Sequence, residues 1–126
     1  MIELLEKYPK AAKVVRQYYL EKLIESLKTD LPEEFKEHVR QQGVTDEMVA
    51  KLVDNQPRSL FDVFDENELY IHVGVLIGIN NSIVFKYQVN DLLLGPVFKD
   101  GVSFKTRRES EKAAIEEAFK LLEEKL

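Results

Sequence analysis

Two histidines, an acidic turn and one basic run are the places in this chain where residue type could support chemistry. His72 lies in an alternating apolar run, and His38 lies in a polar stretch with Glu34, Glu37 and Arg40. Neither falls in a metal-site spacing and nothing draws the two together, so both are expected at the surface or half-buried. Asp62, Asp65, Glu66 and Glu68 offer the several oxygens that a hard cation needs. They lack the calcium-loop spacing and its glycine, and a solvated turn between a helix and a strand accounts for them as well. Acids for paired acid–base work are plentiful, but no pattern shows which of them would be held across a cleft. The nucleophile-elbow, phosphate-loop, dinucleotide and zinc-helix motifs do not occur. No catalytic residue, metal ligand or cofactor is expected.

The one basic concentration is Lys105, Arg107, Arg108 and Lys112, at the entrance to the last predicted helix. Helix N-termini already attract negative charge, which makes these four candidate anion-binding residues. The alternative is that they pair with Glu109, Glu111 and neighbouring acids.

Composition bounds the rest. A chain of 126 residues, 44% hydrophobic and 33% charged, has the size and balance of one folded domain. It has no cysteine, which excludes disulfides and thiolate chemistry and fits a reducing compartment, so a cytoplasmic location is expected. The opening residues mix acids with apolar side chains and lack the design of a secretory signal. The apolar stretch 69–79 contains a histidine and is too short for a bilayer, so no membrane partner is expected. The net charge of −5 repels phosphate backbones and disfavours nucleic acid as a partner.

The elements that would position these residues follow from periodicity. Pro9 suits the first turn of a helix that meets no breaker before Asp30. Its apolar residues change side: Ala11, Val14, Val15, Tyr18 and Tyr19 share one face, whereas Leu20, Leu23, Ile24 and Leu27 lie near the opposite one. One core covers both sides of such a helix with difficulty, which marks Val14 and Tyr18 as candidate partner-binding residues, toward a second copy or another protein. A second helix is predicted from Leu31-Pro32 to before Gly43, a third capped by Thr45 or Asp46 and running through Val53, and a short fourth capped by Ser59.

From residue 69 the period changes to two. Leu69, Ile71, Val73, Val75, Ile77 and Ile79 alternate with other residues, and so do Ile83, Phe85, Tyr87 and Val89. An odd loop length is needed to put both apolar sets in one core; a loop of residues 80–82 would pair Ile77 with Phe85 and Val75 with Tyr87. Gly74 and Gly78 on the other face are read as the seat of an N-terminal helix. A third strand is predicted over 102–105, with Gly95-Pro96 confining residues 92–98 to an edge strand or loop. Thr106 to Glu109 fits a capping box, followed by a stripe of Ile115, Ala118, Phe119, Leu122 and Leu126. The expected fold class is α+β: N-terminal helices, an antiparallel β-meander of about three strands, and a C-terminal helix packed on the sheet. One domain is expected over 1–126, helical over 1–57 and carrying the sheet and last helix over 58–126.

Phe104 and the segment TRRESEKAAIEEAFKLLE resemble the recurrent ending of families of small uncharacterised bacteriophage and mobile-element proteins: a strand, an arginine-bearing cap and an Ala-rich helix. The resemblance implies no functional residue. The order of helix, three antiparallel strands and a final helix opened by basic residues is also similar to a double-stranded-RNA-binding domain, from which this chain departs in its acidic balance and extra helices. The function expected is a non-catalytic, protein-binding accessory domain. Its alternatives are a nucleic-acid-binding module using the edge from Lys105 to Lys112, or a small enzyme with a hidden site.

Overall fold

Pro9 opens a helix, as its fixed backbone and missing N–H suit it to do, and the turn closes through the Ala12 N–H on the Tyr8 carbonyl at 2.8 Å. The computed structural model describes residues 1–26, 33–77, 79–91, 95–97 and 103–126. They divide into two units, Met1–Ser59 and Leu60–Leu126.

The first unit contains α1 (Ile2–Lys7), α2 (Pro9–Ser26), α3 (Glu33–Gln42) and α4 (Asp46–Asn55). The continuation of α2 toward Asp30 and the expected start of α3 at Leu31-Pro32 lie outside the described residues. After α3, Gly43 takes φ +73 and donates its N–H to the Val39 carbonyl at 3.1 Å, a left-handed helix stop that glycine adopts without steric cost. Thr45 caps α4 by accepting from the Met48 N–H at 3.3 Å. The helices pack as α1 on α2 and α4, and α2 on α3 and α4. The buried side of α2 turns as its sequence requires, from Ala11, Ala12, Val15 and Tyr19 to Leu20 and Ile24. Arg16 meets Asp46 at 2.8 Å, and the Tyr19 hydroxyl lies 2.5 Å from that of Ser59. Ser59 begins the next helix, and its hydroxyl donates back to the Gln56 carbonyl at 2.7 Å.

The second unit follows from that helix, α5 (Ser59–Glu66), with β1 (Leu69–Ile77), β2 (Ile83–Asp91), β3 (Gly95–Val97) and α6 (Arg107–Lys125). The overall class is α+β, with an antiparallel hairpin as its sheet and β3 adding three residues beside β2. Both apolar sets fall on one face, so the connection has the odd length expected, but it is five residues rather than three. Ile77 pairs with Ile83, Val75 with Phe85, and Val73 with Tyr87. The reason is local: Asn80 and Asn81 both take positive φ, 67 and 60, in a 3-10 turn, and asparagine tolerates that region.

The third strand also departs from expectation. Of residues 103–105, only Phe104 pairs, in a single bridge to Phe85; residue 102 lies outside the described residues. Between Val97, opposite Val89, and Phe104, opposite Phe85, the chain uses three more residues than an unbroken antiparallel ladder would.

α6 covers the odd-numbered face of the hairpin. Arg107 lies over the Phe85 ring, Glu116 and Glu117 act electrostatically on Tyr87, and Lys125 reaches Asp91 at 3.6 Å. Ser110, Ala114, Ile115, Ala118, Phe119, Leu121 and Leu122 of α6 are buried, and Phe119 meets Phe64 edge-to-face at 5.4 Å between centroids. Leu126, expected in this stripe, is exposed.

The core expected from the odd positions of β1 is therefore only partly formed. Leu69 is fully buried, Ile71 and Val73 are half-buried, and Val75 and Ile77 are exposed; the side chain of Ile79 is outside the described residues. Phe85 and Tyr87 are half-buried. A helix that reaches only to Phe85 cannot cover what lies beyond it. Gly74 does not seat a helix either: a Cβ built there would meet nothing closer than His72 Nε2 at 4.0 Å. Gly78 is outside the described residues.

Candidate functional site

The part of the hairpin that overhangs α6 is uncovered apolar surface. Ile77 is 75% exposed and Ile83 58%, and Val75 and Leu76 beside them are also exposed. Ile77 faces Ile83 and Val75 faces Phe85 across the hairpin, so side chains of both strands form one contiguous patch. Between Leu69 and Asn90 the chain holds no carboxylate; its one full charge there is Lys86, which is exposed. Contiguous exposed apolar surface marks interaction sites, because covering it releases ordered water and lowers the free energy.

Beside the overhang stand the four predicted anion-binding residues. Lys105, Arg107, Arg108 and Lys112 are all exposed, and none forms an ion pair with a described residue. Thr106 caps α6 by accepting from the Glu109 N–H at 3.2 Å. Of the four, only Arg107 has an aromatic partner among the described residues, Phe85, at 5.6 Å.

Val14 and Tyr18 are half-buried. The Tyr18 ring packs edge-on against Tyr19 at 5.5 Å and carries the Lys22 ammonium at 5.4 Å, so much of its apolar surface is used within α2. The hairpin overhang is the more open of the two surfaces. Sequence reasoning missed it because alternation shows which residues share a face, not how far the covering helix extends.

The remaining candidates are surface residues. His38 is exposed and hydrogen-bonded to Gln42 at 3.2 Å, and His72 is exposed on the even face of β1. Asp62, Asp65, Glu66 and Glu68 are exposed, and no cluster of His, Asp or Glu suited to a metal occurs among the described residues. Desolvation, and after it the neighbouring Asp62 charge, raises the Asp65 carboxyl above the ordinary range. No described helix is long and apolar enough to cross a membrane. No protein-family model matches this chain, and neither a curated protein nor a solved structure shows a significant match to it.

Proposed function

We propose that this chain is a non-catalytic, protein-binding accessory domain that engages its partner through the overhanging end of the β1–β2 hairpin. The observation that carries the reading is the contiguous exposure of Val75, Ile77 and Ile83 on one face of the hairpin. Each square ångström of apolar surface removed from water contributes about 25 cal/mol, so covering the patch favours association. The bacteriophage and mobile-element resemblance of residues 106–123 belongs to the same proposal, as the setting in which an accessory protein would act. The test is capture from host lysate with the wild type and with an Ile77→Asp/Ile83→Asp double variant. A protein retained by the wild type and lost by the equally folded variant supports the reading. Equal capture by both, or none by either, overturns it.

A second reading rests on the four cations at the start of α6 that form no described ion pair: a nucleic-acid contact made by Lys105, Arg107, Arg108 and Lys112. It predicts binding of double-stranded RNA that weakens steeply with salt and is lost on replacing Arg107 and Arg108 by glutamine. Absence of binding at low salt removes it.

A further inference from the structure

β1 is an edge strand, and its outer side has no partner among the described residues over the whole of Leu69–Ile77. The direction of its backbone groups follows from the far side of the sheet. Phe85 exchanges both backbone hydrogen bonds with Phe104, at 2.8 and 2.9 Å, so its N–H and C=O point away from β1. Val75, opposite Phe85, then belongs to a non-hydrogen-bonded pair and points its own N–H and C=O outward. By alternation Ile71, Val73 and Ile77 do the same, forming an open ladder of donors and acceptors.

Soluble proteins guard such edges with lysine, proline, bulges or inward charges. β1, LYIHVGVLI, has no Lys, Arg, Asp, Glu or Pro, and its pairing with β2 runs without a bulge. An unguarded edge of nine residues is a surface built to be paired.

Resting on the protein-binding reading above, we propose that its occupant is β1 of a second copy, antiparallel, with a two-fold axis at Val73. This register uses all nine residues: Val73 meets Val73, Ile71 meets Val75, and exposed Ile77 comes beside Leu69 of the copy. No like charges are opposed, because the strand carries none. Charge at the two ends selects the antiparallel direction. The base of the hairpin is preceded by exposed Asp65, Glu66 and Glu68, whereas the end toward the overhang is flanked by exposed Lys105 and Arg107, which follow Phe104 opposite Phe85. The two-fold axis places the basic end of each copy toward the acidic end of the other, and a parallel pairing would oppose like with like.

Sedimentation of the full chain, together with amide exchange, tests this. The wild type is a dimer at micromolar concentration, and the amides of Ile71, Val73 and Val75 exchange at least roughly tenfold more slowly in the dimer than in monomer. Val75→Pro removes one outward N–H and leaves every β1–β2 hydrogen bond in place, so it gives a folded monomer. Val75→Lys gives the same result by guarding the edge, and Ile83→Lys, away from that edge, stays dimeric. A monomeric wild type, a Val75→Lys protein that remains dimeric, or a dimer in which those three amides are unprotected overturns the proposal. A monomer that still captures protein through Ile77 and Ile83 removes only the dimer. A dimer protected at these amides that captures nothing upholds the dimer and removes the wider reading.

Discussion

The guanidinium of Arg107 sits 5.6 Å from the centre of the Phe85 ring and marks the line at which α6 stops covering the hairpin. On the odd-numbered face, residues of β1 and β2 on the helix side of that line are buried or half-buried, and Ile77 and Ile83 beyond it are exposed. Stability should follow the same line. Leu122→Ala, at a position 1% exposed, is expected to cost about 2–5 kcal/mol, whereas Ile77→Ala should change stability by less than about 0.5 kcal/mol. Urea denaturation of both variants checks this, and a large loss for Ile77→Ala would contradict the placement.

The cap of α6 gives a smaller effect. Thr106→Ala removes the acceptor of the Glu109 N–H and should destabilise the fold by about 1 kcal/mol, with Thr106→Ser restoring most of it. Thermal unfolding of the three proteins measures the difference.

Ser110 is expected to behave in the opposite way. Its side chain is fully buried, and its hydroxyl has no hydrogen-bond partner among the described residues. Removing an unsatisfied buried hydroxyl is neutral or favourable, so Ser110→Ala should leave stability unchanged or raise it by up to about 1 kcal/mol. A clear loss in denaturant midpoint would show that the hydroxyl is bonded after all.

Alkaline pH should weaken the second unit through Tyr87. Burial, then the charges of Glu117 and Glu116, raise its pKa above the ordinary 10.0. The folded state therefore holds this proton more tightly than the unfolded state does. Its contribution is complete below pH 10.0 and is lost as pH rises from there through the raised folded value. Tyrosinate absorbance should show one late-titrating group that Glu117→Gln brings earlier. Tyr87→Phe should flatten the alkaline loss of stability.

Local chemistry made much of this fold legible. Thr45, Thr106, Gly43 and Pro9 each act through backbone bonds within one turn, and each does what its side chain predicts. The shared face of the two strands was legible for the same reason, since parity depends only on counting. The register was not: Asn80 and Asn81 both accept left-handed backbone, and a two-residue clue suits connections of three or five residues equally. The exposed patch was hidden more deeply. Ile77 and Leu69 are equivalent in pattern, and only the reach of a helix beginning thirty residues after Ile77 separates them.

Lys125 donates to the Asn67 carbonyl at 3.1 Å across 58 residues of sequence, whereas the hairpin between them is joined by a five-residue turn. These two closures belong to different moments of folding. The hairpin can zip from its turn on the order of microseconds, but helix docking awaits the slower closure of the long loop. During that interval the odd face and the outer edge of β1 are bare together, with no charged gatekeeper along the strand. Crowded refolding should therefore favour strand exchange between chains, and anything that hastens helix docking should raise the yield of native protein.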